Sequence, residues 1–133
     1  MSVKRFGVSL EESTLRRLDN LVEEKQFPNR SQAIRFLIEK NVVEQKWEDN
    51  KEVAGAVVLV YDHHKRNLSE RSVNTQHEHH KLILSAQHVH LDHNHCLETI
   101  AVKGKAKELT GLADRLIGMK GIKHGELLMT ETG

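Results

Sequence analysis

The sequence of 133 residues predicts an α+β fold in two parts. Residues 1–48 begin with an alternating strand pattern and continue with two helical stripes, whereas residues 53–133 alternate strands and helices in the order βαββαβ. A polar stretch, KWEDNKE, lies between the two parts and is expected to be a linker. Nine of the ten histidines lie between residues 63 and 95, so a metal-binding function is also indicated.

Composition excludes several classes of protein. The formal net charge is +1, so bulk charge gives no reason to expect binding to nucleic acid or to a membrane. A single cysteine excludes an intrachain disulfide and is typical of a reducing compartment. No signal segment and no apolar run near the roughly 18 residues of a membrane span is found, so we expect a cytoplasmic protein without membrane segments.

The first strand, within VKRFGVSL, has one apolar and one polar face. The apolar face carries Phe6, Val8 and Leu10, and the polar face carries Arg5, Gly7 and Ser9. Ser9 and Glu12 have capping-box spacing, which predicts that a helix begins just after the strand. Because an unpaired strand exposes its backbone donors and acceptors, we expect two chains to pair their strands in a twofold dimer. Such a two-stranded ribbon fits the major groove of DNA.

Two amphipathic helices follow the strand, and the break between them is FPNRS. Asn29 is a good N-cap for the second helix, with Gln32 three residues on. This part resembles a ribbon-helix-helix DNA-binding domain in its RFGVSL and PNRSQAIR segments. The resemblance implies base reading by Arg5, Gly7 and Ser9, and phosphate anchoring by Asn29, Arg30 and Ser31. The alternative is a helical hairpin used only for dimerisation, since residues 1–50 hold nine Lys and Arg against nine Asp and Glu.

Residues 53–133 read as a ferredoxin-like βαββαβ domain. VAGAVVLVY is a buried strand, and a helix follows it, with Asp62 placed to cap the helix. Strands at 82–91 and 96–102 come next, then a helix with a clear apolar stripe, and GIKHGELLM as the last strand. We expect the helices to cover one face of the sheet and another subunit to cover the other.

The hairpin in this domain predicts a metal site. His88 and His90 are two residues apart in a strand, so their side chains share a face, and the return strand can bring Cys96 beside them. A fourth ligand is needed to close the site, and a site shared between subunits is favoured. The other histidines are candidates for this ligand, and His77, His79 and His80 stand near the end of the preceding helix. Imidazole with one thiolate suits zinc, copper or nickel, and spacing alone does not choose between them.

Over nearly its full length the chain resembles a nickel-responsive repressor of the NikR family. The motifs that carry the resemblance are the first strand, PNRS, VYDHHKR, TQHEHH, HVHLDH and CLE. The resemblance implies a homotetramer, a dimer of dimers, with a core of ACT-type regulatory domains flanked by two ribbon-helix-helix dimers. It implies one Ni(II) per subunit in a square-planar site made by His88, His90 and Cys96 of one subunit and His77 of a neighbour.

The resemblance also assigns roles around this site. Gln76 and Glu98 match positions that tie one metal site to the next, and Lys65 and Arg66 match residues that touch DNA phosphate once nickel has ordered their segment. The chain departs from the family where a carboxylate pair often binds a potassium-type ion, because Gln32 and Phe36 stand there and Phe36 cannot ligate a cation. Gly7 is a second departure, which leaves the operator sequence open.

We therefore expect a nickel-dependent repressor, not an enzyme, that binds double-stranded DNA at two half-sites and controls nickel uptake genes. In metal-free protein the segment 62–76 is expected to be mobile, and nickel is expected to order it. Alternatives are a zinc- or copper-responsive regulator of the same architecture, a metal store, and a metal-dependent enzyme, although HEHH does not match HExxH. We interpret the other histidines as weak-site or surface residues (His79, His80, His93, His95) or as solvated (His63, His64, His124).

Overall fold

The structure is a computed structural model that describes residues 2–64 and 68–133. Over these residues the elements are α1 Glu12–Glu24, α2 Arg30–Glu48, β1 Glu52–Asp62, α3 Leu68–Glu78, β2 Ile83–His90, β3 His95–Lys105, α4 Ala106–Ile117 and β4 Ile122–Thr130. The chain divides within α2 into two units, one ending at Asn41 and the other beginning at Val42. No helix formed by these residues has both the length and the hydropathy to cross a bilayer.

The N-terminal unit contains α1 and the first part of α2. Asn29 caps α2 as predicted, because its Oδ1 accepts a hydrogen bond from the backbone N–H of Gln32 at 3.0 Å. The predicted capping box at Ser9 is wrong: α1 begins at Glu12 with Glu11 at the N-cap, and no side chain caps the helix. A bidentate ion pair joins the two helices, with the Arg30 guanidinium donating to the Asp19 carboxylate at 2.7 and 3.0 Å.

The predicted first strand is not formed within one chain. Residues 2–11 adopt neither helix nor strand. Phe6 and Val8 are 76% and 61% exposed, although they line an apolar groove with Leu18, Leu21 and Leu37. The physical reason is that a β-ladder needs a partner strand to bond with. A single chain offers none to this segment.

The C-terminal unit has the predicted βαββαβ order. Its four strands form one antiparallel sheet in the order β2-β3-β1-β4. Alternate residues of β1 and β3 pack against the apolar stripe of α4, whose buried members are Ala106, Leu109, Leu112, Ala113 and Leu116. This layer of aliphatic side chains holds the sheet rigid behind the β2–β3 hairpin, where the candidate metal ligands lie.

The polar stretch predicted as a linker is instead packed into the C-terminal unit. Trp47 is 8% exposed and donates from Nε1 to the carbonyl of Thr130 at 2.9 Å. Asn50 adopts a positive φ of 53° and accepts the backbone N–H of Lys107 on its Oδ1, which satisfies a free donor at the start of α4. The linker prediction was wrong because the Trp47 indole and the Asn50 amide form hydrogen bonds within the C-terminal unit, although the residues around them are polar.

Candidate metal centre

The β2–β3 hairpin brings the three predicted metal-ligating residues onto one face of the sheet. In the antiparallel register His90 pairs with Cys96, and His88 pairs with Glu98. Paired residues point to the same face, so both imidazoles lie on the face that carries the thiol. The two rings are 5.8 Å apart between centroids. The His88 ring also meets the edge of Tyr61, which pairs with Cys96 from β1.

Cys96 differs from the two histidines in its burial. Its side chain is fully buried, whereas His88 and His90 are exposed. Burial raises the pKa of the Cys96 thiol, and the nearby carboxylates of Glu98 and Asp62 raise it further. The thiol donates a weak hydrogen bond to the carbonyl of Tyr61 at 3.4 Å, which opposes this shift. The site therefore combines one protected sulfur with two accessible imidazoles.

The loop between the two strands is held by Asp92. Its Oδ1 accepts the backbone N–H groups of His95 at 2.7 Å and Asn94 at 2.9 Å. These backbone hydrogen bonds, the one from His95 first, lower the pKa of Asp92 to about 2. Asp92 therefore stays ionised over the physiological pH range and can accept both backbone hydrogen bonds throughout it.

His77 lies near the end of α3 and is exposed. Its ring stands 6.3 Å from that of His80, one of the other candidates for the fourth ligand. Within the described part of a single chain, His77 is not grouped with His88, His90 and Cys96 at metal-binding distance. One chain thus presents three candidate ligands on its hairpin and a fourth at a separate helix end.

Glu98 is the centre of a buried polar network beside the hairpin. Its Oε1 accepts hydrogen bonds from the hydroxyls of Tyr61 at 3.2 Å and Ser72 at 3.3 Å. Its Oε2 accepts one from Gln76 Nε2 at 3.0 Å, and the same amide nitrogen donates to Ser72 Oγ at 3.1 Å. The network joins α3 to strands β1 and β3. Gln76 and Glu98 are thus in direct contact. These are the two residues that the family resemblance matches to positions tying one metal site to the next.

A second cluster lies next to His90, and the sequence interpretation missed it. Asp62, His63 and His64 each offer a ligand atom, and these atoms lie within 4.8 Å of one another; no other triad among the described residues meets this distance. His63 Nδ1 is buried and has no hydrogen-bond partner among the described residues. Burial first, then His64 and His90, lowers the pKa of His63. The interpretation of His63 as solvated was therefore wrong.

Consecutive residues in a strand point to opposite faces, so DHH alone gave no reason to expect this cluster. The alternation ends because β1 ends at Asp62, whose Oδ1 accepts the backbone N–H of His64 at 2.8 Å. In the resulting turn the rings of His63 and His64 approach to 3.9 Å, and the ring of His63 stands 4.9 Å from that of His90. The signal that could have found the cluster is the turn-forming tendency of Asp62, which predicts that the strand and its alternation end there.

The residues predicted to contact DNA lie in the N-terminal unit, apart from two. Arg5, Gly7 and Ser9 are exposed in the segment before α1, and Asn29, Arg30 and Ser31 are at the start of α2. Arg30 is engaged with Asp19, as described above. Lys65 and Arg66 fall outside the described residues.

The two residues at the expected cation positions make contacts of another kind. The ring of Phe36 packs on Phe27 at 5.3 Å, and Gln32 accepts a hydrogen bond from Arg35 at 3.4 Å.

Comparisons with known proteins match both parts of the chain. Residues 54–130 match the family described as the NikR C-terminal nickel-binding domain, and residues 4–45 match ribbon-helix-helix proteins of the copG family. A relative from Geobacter sulfurreducens, named "Putative nickel-responsive regulator", is 55% identical over 97% of this chain and 94% of its own. A relative of the same name from Desulfovibrio desulfuricans is 50% identical over 99% of this chain and 96% of its own.

A solved structure supports the fold over part of this chain. An uncharacterized protein from Thermotoga maritima superimposes with a TM-score of 0.54 at 11% identity, over 59% of this chain and 98% of that one. At this identity the similarity concerns the fold alone. The two family matches and the relatives at 55% and 50% identity establish that this chain belongs to the NikR family of nickel-responsive regulators.

Proposed function

We propose that this protein is a nickel-dependent transcriptional repressor that binds double-stranded DNA in the cytoplasm and controls nickel uptake genes. The observation that carries the proposal is the β2–β3 hairpin, where His88 and His90 share one face with Cys96. Imidazole nitrogens with one thiolate form a donor set that suits Ni(II). The family match over residues 54–130 and the names of the relatives support the choice of nickel.

We propose that His88, His90 and Cys96 of one subunit and His77 of a neighbour hold one nickel ion per subunit. The donor chemistry fits the metal, since Cys96 is buried beside two accessible imidazoles whose rings are 5.8 Å apart. His77 is exposed at the end of α3 and therefore open to another chain. Zinc and copper also accept such ligands, so the test below compares DNA binding with each of these metals.

Two exposed apolar surfaces support a homotetramer built as a dimer of dimers. In the N-terminal unit, Phe6 and Val8 are exposed, and pairing of two such segments would form the ribbon and bury them. In the C-terminal unit, Val89 on β2 and Leu128 on β4 are 40% and 59% exposed on the sheet face away from the helices. Apolar surface of this kind is typical of subunit contacts.

We propose that the paired N-terminal segments read DNA through Arg5, Gly7 and Ser9, while Asn29, Arg30 and Ser31 anchor phosphate at the start of α2. A helix start presents free backbone N–H groups that suit phosphate. Bound nickel would supply a cross-link between imidazole and thiolate ligands of different subunits. His77 would then hold its α3 in place, with Lys65 and Arg66 directed to phosphate and the ribbons on two half-sites.

The proposal is tested by selection of DNA followed by a gel shift. Fragmented genomic DNA of the source organism is passed over the full-length protein with nickel, and recovered fragments are titrated with protein plus nickel, zinc, copper or a chelator. We expect tight DNA binding in the titration with nickel and weak binding in those with zinc, copper or the chelator. Equal affinity with nickel and with chelator would refute the proposal, and a response to zinc or copper in place of nickel would favour a regulator of another metal.

A further inference from the structure

Ser72 occupies a position of α3 that the helical pattern reserves for an apolar residue. Leu68, Ser72 and Thr75 lie on one stripe of the helix, at spacings of four and three residues, and all three are buried. Ser72 itself is 1% exposed. A serine at a buried helix position lowers helix propensity relative to alanine and places a hydroxyl away from water. A polar side chain at this depth calls for a partner.

The partner is the buried carboxylate of Glu98. Ser72 Oγ donates to Glu98 Oε1 at 3.3 Å and accepts from Gln76 Nε2 at 3.1 Å. Ser72 is therefore the middle of a series of hydrogen bonds that runs from the sheet to the last turn of α3. A buried carboxylate is stable only when donors surround it, and here α3 provides two of them. Every such bond also fixes α3 against β3.

The residues at the two ends of this series of hydrogen bonds adjoin candidate metal ligands. Gln76 immediately precedes His77, and Glu98 pairs with His88 across the β2–β3 ladder. We propose that Ser72 is a positioning residue that holds the last two turns of α3 on the sheet before metal arrives, so that His77 is presented in a fixed place. In this proposal the mobility expected for segment 62–76 of the metal-free protein does not extend to these last two turns. The inference rests on the proposed function, because it assumes that His77 is a nickel ligand.

The test compares Ser72→Ala with Val73→Ala in the full-length protein. Val73 neighbours Ser72 but is 60% exposed, so its change controls for a substitution in α3 that leaves the network intact. The first measurement is amide hydrogen exchange of the metal-free protein. We expect faster exchange in residues 73–79 of Ser72→Ala, with the core strands β1 and β3 unchanged. Alanine is the better helix former, so propensity alone would slow exchange there.

The second measurement is nickel affinity by competition with a chelator. Residues behind metal ligands typically contribute roughly 10–100-fold to affinity, and we expect a loss of about 10-fold in Ser72→Ala and none in Val73→Ala. Wild-type exchange in α3 of Ser72→Ala would overturn the inference, as would unchanged nickel affinity.

A second variant, Glu98→Gln, keeps the shape of the acceptor and weakens its bond from Ser72. We expect it to give the same pattern of exchange in α3, and wild-type exchange there would overturn the inference even if Ser72→Ala failed to fold. Absence of nickel binding in the wild-type protein would contradict the proposed function instead, while the exchange experiment would still decide whether Ser72 anchors α3.

Discussion

His90 on β2 lies directly opposite Cys96 on β3, at the loop end of an antiparallel hairpin whose loop is held by Asp92. The opposition places an exposed imidazole and a fully buried thiol on the same face. Rigid strands, not a flexible loop, thus set the distance between the two ligands. Sites built on strands hold their side chains more precisely than sites built on loops.

Replacement of Cys96 by Ala should remove tight nickel binding. Cys96 is the only thiol of the chain, so its loss should exceed the roughly 10–100-fold effect typical of residues behind a metal ligand. Nickel affinity and the thiolate-to-nickel absorption band measure the effect, and circular dichroism checks the fold. His124→Ala, in the histidine outside the 63–95 cluster, is the control. Tight nickel binding by Cys96→Ala would show that the Cys96 thiol is not a ligand of the proposed site.

Mixed tetramers should show whether His77 acts in a neighbouring subunit. His77→Ala and Cys96→Ala should each bind nickel poorly alone. When both are unfolded and refolded together, a Cys96-containing subunit can meet an intact His77 from its neighbour, so part of the tight binding should return. A chain that used its own His77 would gain no complete site by mixing. Nickel per tetramer, measured after gel filtration, distinguishes the two results.

Trp47→Phe should destabilise the C-terminal unit by about 1 kcal/mol. The change removes the indole hydrogen bond to the carbonyl of Thr130 in a nearly buried place, and such bonds contribute roughly 0.5–1.5 kcal/mol. Urea unfolding, followed by far-ultraviolet circular dichroism, measures the change. Gln45→Ala, two residues earlier on an exposed face, should be nearly neutral. Equal midpoints for both variants would show that residues 46–52 are the loose linker predicted from sequence.

Arg30→Ala should raise the pKa of Asp19. The hydrogen bond from Arg30 lowers this pKa in the folded protein below its value in the unfolded chain. A depressed carboxyl pKa contributes stability above the unfolded pKa, near 3.9. That contribution is lost as the pH falls through the lower, folded pKa. Carbon-13 NMR titration of Asp19 measures the shift. Arg35→Ala, which instead removes the donor to Gln32, should leave Asp19 unchanged.

The sequence alone predicted the local order of the fold well. Asn29 at the start of α2 and the βαββαβ order follow from capping chemistry and from hydrophobic periodicity, which act over a few residues. The shared face of His88, His90 and Cys96 follows from the two-residue period of a strand and from one hairpin. In each case neighbours along the chain decide the outcome.

Only the tertiary structure decided which polar residues are buried and which ligands converge. The sequence predicts a linker at residues 46–52, whereas in the structure Trp47 and Asn50 form hydrogen bonds with Thr130 and Lys107. Ser72 meets Glu98 across 26 positions of sequence, and His63 meets His90 only because β1 ends in a turn. Such contacts depend on the packing of distant segments, since burial makes a polar partner obligatory without specifying it in any local pattern.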